Sequence, residues 1–195
     1  MNKENEKKGK VVIVSGPSGV GKSTVCLELV RQIGAFLSVS ATTRPRAESE
    51  VDGKDYWFIS EEEFQKRVEN GDFLEHAEVF GNRYGTPRKE VEQALAEGKA
   101  VILEIDVQGA LVVRNYYPDA LMIFILPPSQ ADLAGRMSGR GRGEDGKTAR
   151  RRLDSAGTEI AAAWQYYDHM VINADIEQAV EEMRQIIEGN AGVQE

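Results

Sequence analysis

The fold is decided by residues 11–23, which read Val11-Val12-Ile13-Val14-Ser15-Gly16-Pro17-Ser18-Gly19-Val20-Gly21-Lys22-Ser23. The last eight residues fit the pattern G-x-x-x-x-G-K-[ST], with an apolar run before them and a helix-like stretch after. The glycines let the backbone curl so that successive N–H groups face an anion. Lys22 can then reach the β- and γ-phosphates, and Ser23 offers a hydroxyl to Mg²⁺. This stretch predicts a binding site for a nucleoside triphosphate.

Apolar runs alternate with helix-like segments along most of the chain. The runs fall at 11–15, 36–40, 100–106, 120–126 and 170–172. Helices are predicted at 22–33, after 106 to about 117, beginning at 129, and at 175–188. This alternation predicts a parallel β-sheet covered by helices on both faces, an α/β/α arrangement of three layers typical of P-loop NTPases. Ligands should then lie at the carboxyl ends of the strands.

One domain is expected over residues 10–195, after a disordered tail at 1–9. Its core is predicted at 10–40, 99–135 and 153–190. Between 41 and 98 the pattern changes to short aromatic strands beside a polar helix, which predicts a small inserted α+β subdomain. A Gly- and Arg-rich stretch within 136–152 predicts a mobile lid.

The composition excludes several classes of protein. The 195 residues carry a formal net charge of −8, which argues against general nucleic-acid binding, and no apolar stretch is long enough to span a membrane. The polar, lysine-rich beginning has no apolar signal region, so a cytoplasmic location is expected. No obligatory protein partner is indicated. Positive charge is local, which predicts discrete phosphate sites, although a solvated face would also explain the run between Arg136 and Arg152.

Two further groups of residues suggest a second substrate and a metal. Glu104 and Asp106 alternate near the end of a predicted strand, so they should share one face and need Mg²⁺ or an arginine as partner. A structural ion pair is the alternative. Arg44 and Arg46 follow the strand that ends at Ser40, and guanidinium groups bind phosphate well, so the acceptor is expected to carry a phosphate.

Taken together, these residues resemble the guanylate kinase family along nearly the whole chain. The resemblance is carried by six blocks in the family's order and approximate spacing: Gly16–Thr24, Ser38–Arg44, Asp52–Phe58, Phe73–Ala77, Arg83–Thr86 and Leu103–Gly109. It implies ATP-dependent phosphorylation of GMP to GDP with Mg²⁺. It also implies the ATP-binding residues Gly16, Pro17, Ser18, Gly19, Val20, Gly21, Lys22, Ser23 and Thr24, with Ser23 on the metal.

The same resemblance implies a site for GMP. A guanine base presents donors at N1 and N2 and an acceptor at O6, which a carboxylate and nearby hydroxyl groups would read. Glu75, Ser40 and Thr86 supply these groups, and the resemblance implies that the matching positions read the base in the family. The remaining residues implied at the GMP site, on the acceptor phosphate or around the nucleoside, are Arg44, Arg46, Tyr56, Tyr84, Glu104 and Asp106.

Catalytic roles are implied for Lys22, Arg44, Arg136, Arg140 and Arg152, the last three over the transferring phosphoryl group. Two departures from the family pattern stand out. The second basic residue is Arg46, one position early, with Ala47 in its expected place. Arg46 therefore either reaches the acceptor phosphate from a shifted loop, or the phosphate site lacks one of its basic side chains. The lid is one residue longer and richer in glycine and arginine, which should make closure costlier.

Two other readings fit parts of the pattern. A guanylate-kinase-like interaction module would keep the fold but typically lose phosphate-loop residues, and Gly21, Lys22 and Ser23 are all present. A ribose bisphosphate phosphokinase would share the phosphate loop but needs no guanine reader. The coincidence of Ser40, Glu75 and Thr86 favours GMP.

Overall fold

The computed structural model describes residues 9–138 and 146–189, with the backbone alone described at 137–138 and 146–154. The strands are β1 (Lys10–Ser15), β2 (Phe36–Leu37), β3 (Ala41–Thr42), β4 (Trp57–Phe58), β5 (Phe73–Val79), β6 (Asn82–Pro87), β7 (Ala100–Glu104), β8 (Leu121–Leu126) and β9 (His169–Ile172). The helices are α1 (Lys22–Ile33), α2 (Glu61–Glu69), α3 (Arg88–Ala96), α4 (Val107–Tyr116), α5 (Gln130–Ser138), α6 (Gly146–Tyr166) and α7 (Ile176–Glu188).

A parallel sheet of five strands forms the centre, in the order β2-β7-β1-β8-β9. Strand β1 lies in the middle and pairs in parallel with β7 on one side and β8 on the other. Five of its six residues are buried. An apolar strand with neighbours on both sides and helices on both faces matches the pattern of residues 11–15, and the predicted α/β class is confirmed.

Each face of this sheet carries its own hydrophobic core. Val12 and Val14 point into a core shared with α1 and α7, whereas Val11 and Ile13 point into a core shared with α3 and α4. Because side chains alternate along a strand, one continuous apolar run supplies both cores. The three-layer arrangement follows directly from this alternation.

A second sheet, in the order β4-β3-β6-β5, lies entirely within the segment predicted as an insertion. The prediction of a strand over 36–40 is wrong, because β2 ends at Leu37 and β3 begins at Ala41 in this other sheet. The apolar pattern did not show that the chain changes sheets there. Strand β6 was also not predicted, since Arg83, Tyr84 and Gly85 interrupt any apolar alternation.

Helix boundaries follow the capping signals in the sequence. The hydroxyl of Ser60 accepts a hydrogen bond from the backbone N–H of Glu63, and Gly189 ends α7 with φ of 76°. Asp106 corrects an expectation: β7 ends at Glu104, and the Asp106 carboxylate accepts from the N–H of Gly109 as the N-cap of α4. Asp106 therefore orients the start of a helix and is not on the strand face of Glu104.

No helix among the described residues combines the length and the apolar character needed to cross a bilayer.

The hairpin between β5 and β6 turns through two residues with positive φ, a conformation that suits glycine but not phenylalanine. Val79 pairs with Asn82, so Phe80 and Gly81 form the whole loop, with φ of 51° and 76°. Positive φ at both positions is the type I′ turn, which favours Asn followed by Gly. A phenylalanine in this conformation costs about 1 kcal/mol.

We predict that Phe80→Asn raises the free energy of unfolding by about 1 kcal/mol, because asparagine tolerates positive φ. Denaturant titration measures this. The matched change Gly81→Ala should lower stability by a similar amount, since nothing lies within 4 Å of the added Cβ and only the backbone penalty acts. A less stable Phe80→Asn variant would contradict the assignment of strain to this turn.

Candidate active site

The loop between β1 and α1 is folded too tightly for side chains at two of its glycines. A Cβ on Gly16 would lie 2.5 Å from the carbonyl oxygen of Ile125, and a Cβ on Gly21 would lie 2.5 Å from Nδ2 of Asn173. The φ angles of these glycines are 152° and 101°, conformations that favour glycine. The glycine spacing in the motif thus reflects both the backbone turn and the packing around it.

Lys22 and Ser23 begin α1 and face the loop and the neighbouring strand. Lys22 Nζ donates to the carbonyl oxygens of Gly16 and Pro17, at 2.6 and 3.1 Å. Ser23 Oγ donates to Oε1 of Glu104 at 2.9 Å. Lys22, which the sequence assigns to the phosphates, therefore bonds back to the start of its own loop.

The residues around Ser23 suit Mg²⁺ shared with phosphate oxygens. A hydroxyl and a carboxylate, both hard oxygen donors, lie within hydrogen-bonding distance of each other at the end of β7. Among the residues that the structure describes, no group of three or more His, Cys, Asp or Glu could enclose a metal. This donor set fits an ion that keeps water and takes its other ligands from a substrate.

Two residues from later in the chain, Arg136 and Asn173, donate hydrogen bonds to the loop backbone. Asn173 Nδ2 donates to the carbonyl oxygen of Val20 at 2.8 Å, and Asn173 is 2% exposed. Arg136 donates to the same carbonyl at 3.2 Å and to the Asn173 carbonyl at 3.0 Å. Of the three arginines predicted over the transferring group, Arg136 is thus placed beside the loop. Arg140 and the side chain of Arg152 lie outside the described residues.

Across the cleft, the residues predicted for the acceptor phosphate lie together. The Tyr56 and Tyr84 rings are 5.8 Å apart, and the Arg44 guanidinium lies over the Tyr56 ring at 5.5 Å. Arg44 also donates to Oε1 of the buried Glu50 at 2.7 Å. Burial lowers the pKa of Arg44, but Glu50 and Tyr84 outweigh it and raise the pKa above its ordinary value.

Arg46 is placed differently. Its side chain is exposed, and Nη1 donates to the backbone carbonyl of Glu50 at 2.6 Å. The guanidinium thereby closes the loop of residues 46–50, and the residues lining the cleft include Arg44 but not Arg46. In this arrangement the early basic residue holds the shifted loop in shape.

Glu75 is the most unusual ionisable group in the cleft. It is 6% exposed, and Oε1 accepts a hydrogen bond from the Thr86 hydroxyl at 2.5 Å. Burial, together with the nearby charge of Asp106, raises its pKa from 4.5 to about 7 despite the Thr86 hydrogen bond. A buried carboxylate that pairs with no cation in the described part of the chain is suited to accept hydrogen bonds from a ligand with several N–H groups.

These two groups of residues line one cleft between the sheets. The predicted site residues on its wall are Gly16, Ser18, Gly19, Gly21, Lys22, Ser23, Ser40, Arg44, Tyr56, Glu75, Tyr84, Glu104 and Asp106. Thr86 lies behind Glu75, Val20 is buried in the loop, and Thr24 is exposed on α1. The residues predicted for ATP and those predicted for GMP therefore face each other across this cleft.

Comparison with known proteins agrees with this geometry. The family model for guanylate kinase matches residues 8–190. The chain belongs to the guanylate kinase family. A guanylate kinase of Symbiobacterium thermophilum is 48% identical over 184 residues, covering 94% of this chain and 86% of its own length. One from Clostridium acetobutylicum is 47% identical over 181 residues, with coverages of 93% and 86%.

A solved structure leads to the same family. The crystal structure of guanylate kinase from Anaplasma phagocytophilum matches with a TM-score of 0.77 and 35% sequence identity, covering 94% of this chain and 86% of that one. Both the resemblance inferred from the six sequence blocks and the predicted fold are confirmed.

Three site residues in this guanylate kinase family member were missed by the sequence analysis. Glu50 holds Arg44, Asn173 holds the phosphate loop, and Glu159 of α6 lines the cleft. Burial raises the pKa of Glu159, and the charge of Lys22 counteracts this. No local motif marks these residues, because their roles depend on how the chain folds around the cleft and not on neighbouring residue types.

We predict that Glu75→Gln stabilises the protein more at pH 8 than at pH 5. Between the unfolded pKa of 4.5 and the folded pKa of about 7, the folded protein holds a proton that the unfolded chain has lost, so wild-type stability falls as pH rises. Glutamine removes this penalty, which reaches up to about 3 kcal/mol above pH 7. Chemical denaturation at several pH values measures the difference. The exposed Glu78→Gln on the same strand is the control, and an equal, pH-independent effect of both changes would contradict the prediction.

Proposed function

We propose that this protein transfers the γ-phosphoryl group of ATP to GMP, producing ADP and GDP. One observation carries the proposal: the phosphate loop and the buried Glu75, which Thr86 holds from the side away from the cleft, open onto the same cleft. An anion-binding loop alone would fit many nucleotide-binding proteins. A loop facing a carboxylate built to accept N–H donors fits a kinase whose acceptor is a guanine nucleotide.

On the donor side, the amides of the loop would hold the phosphates of ATP, and Lys22 would exchange its loop carbonyls for phosphate oxygens. Ser23, with Glu104 beside it, would hold Mg²⁺, which when bound neutralises charge on the β- and γ-phosphates. Arg136 lies close enough to the loop to stabilise the same charge. Roles for Arg140, Arg152 and a lid over 136–152 remain predictions.

On the acceptor side, Arg44, Tyr56 and Tyr84 would hold the GMP phosphate. Glu75 would accept hydrogen bonds from N1–H and N2–H of guanine. The Thr86 hydroxyl proton is directed at Glu75, so Thr86 orients the carboxylate, and Ser40 on the cleft wall is the hydroxyl we assign to O6. An adenine at this place would leave the carboxylate without donors, which costs about 1 to 3 kcal/mol.

The reaction itself needs little chemistry from side chains. An oxygen of the GMP phosphate attacks the γ-phosphorus in line as the bond to the β-phosphate oxygen breaks, and ADP leaves. The two walls of the cleft supply alignment and positive charge. No covalent intermediate with the protein is required.

We predict that Lys22→Met lowers kcat at least about a hundredfold, because one preorganised cation facing the transferring charge is lost. Its dissociation constant for GMP should stay unchanged, since Lys22 lies on the donor wall. Coupled ADP-release assays and calorimetry measure the two effects, with Lys66→Met on the exposed face of α2 as control. Retained turnover would refute the role of Lys22. An absence of Mg²⁺-dependent ATP binding to the wild type would instead indicate an interaction module.

We predict that Glu75→Gln lowers kcat/KM for GMP about ten- to a hundredfold and leaves the affinity for ATP unchanged. The assay compares GMP, AMP, CMP, UMP and ribose 1,5-bisphosphate as acceptors for the wild type, Glu75→Gln and the control Glu78→Gln. A wild type that prefers ribose 1,5-bisphosphate, or an unaffected Glu75→Gln variant, would overturn the proposed acceptor.

A further inference from the structure

Gly109 lies where the first turn of α4 meets the buried end of Glu75. It is the third residue of the helix, and its backbone N–H donates to Oδ1 of the N-cap Asp106 at 2.8 Å. Gly109 itself is buried, and the next turn of α4 packs Ala110 and Val113 into the core that includes Leu74 of β5. The backbone at Gly109 is therefore fixed by packing that continues into the strand of Glu75.

A side chain at Gly109 would overlap the Glu75 carboxyl group. A Cβ built there lies 2.5 Å from Oε2 and 2.9 Å from Cδ of Glu75, and 3.3 Å from Oδ1 of Asp106. The first two distances are shorter than any ordinary contact. Its φ angle does not lie in the left-handed region, so the backbone does not require glycine here. Space for the carboxylate is the requirement that remains.

The overlap would be relieved mainly by movement of Glu75. The helix backbone is held by its cap and its core contacts, whereas a carboxyl group is the end of a flexible side chain. Rotation of Glu75 away from Cβ would break its hydrogen bond with Thr86 at Oε1. Such a change costs the fold a buried hydrogen bond and displaces the group that faces the acceptor base.

We propose that Gly109 is a positioning residue that determines acceptor specificity, because its missing side chain allows the Glu75 carboxylate to lie between Thr86 and the start of α4. The inference rests on the proposed role of Glu75 in reading guanine. It adds a residue that contacts no substrate and acts through the placement of another side chain.

The first test compares Gly109→Ala with Gly157→Ala. Gly157 is an exposed helical glycine with no atom within 4 Å of an added Cβ, so alanine there adds only helix propensity. Gly109→Ala should raise the KM for GMP about ten- to a hundredfold with KM for ATP unchanged. Its kcat/KM for AMP should not fall, so discrimination between GMP and AMP shrinks. Equal kinetics for Gly109→Ala and Gly157→Ala would overturn the inference.

A double-mutant cycle separates displacement of Glu75 from general damage to α4. In a Glu75→Ala background the overlap is gone. Adding Gly109→Ala to this variant should weaken neither GMP binding nor thermal stability. In a Glu75→Gln background the side chain is as long, and Gly109→Ala should still lower the melting temperature. The same loss in all three backgrounds would assign the effect to helix packing and overturn the inference. If Gly109→Ala alone does not fold, recovery of folding in the double variant with Glu75→Ala supports the overlap, and failure to recover refutes it.

The same set of variants distinguishes this inference from the proposed function. If Glu75→Gln leaves GMP use intact, the role of Glu75 in reading guanine fails and the inference fails with it. If Glu75→Gln loses GMP use while Gly109→Ala behaves like Gly157→Ala, the proposed function stands and only the inference is refuted.

Discussion

The structure depends on the turn that the chain makes at the end of β1. This strand is paired on both sides and buried on both faces, so the chain can only turn sharply at its end. The turn at Gly16 passes so close to the Ile125 carbonyl on β8 that no side chain fits. Because β7 and β8 end beside β1, Glu104 and the phosphate loop meet at the same edge. The position of the site is therefore set by the tight turn that follows β1.

Three cationic side chains in or beside the cleft are paired within the protein. Lys22 donates to loop carbonyls, Arg44 to Glu50, and Arg136 to the carbonyls of Val20 and Asn173. Free cations this close together would repel one another, and buried ones would be costly. A phosphate that takes over these donors replaces an existing hydrogen bond, so part of its binding energy is offset. Glu75 differs, since its buried carboxylate has the Thr86 hydroxyl as a partner and no cation among the described residues.

Local sequence signals predicted the parts of the structure that depend on nearby residues. The phosphate loop, the capping of α2 by Ser60 and the end of α7 at Gly189 each follow from a few adjacent side chains. The split of residues 36–42 between two sheets was not predictable, because each strand has only two residues and the two strands differ mainly in their partners. Asp106 could equally have ended a strand or capped a helix. The roles of Glu50, Asn173 and Gly109 could not be predicted from the sequence. They are set by contacts with residues 6, 153 and 34 positions away, respectively, and by the space around them.

The anchoring of the phosphate loop by Asn173 has a consequence for how the protein is made. The loop leaves the ribosome well before Asn173, which follows Val20 by 153 residues and donates the hydrogen bond to its carbonyl. Strand β1 likewise waits for β7 and β8. A nascent chain therefore carries the complete motif long before it carries a rigid anion cradle, and such distant pairings are the slow part of folding. We therefore expect the loop to reach its final shape only after β9 has paired with β8 and brought Asn173 beside it.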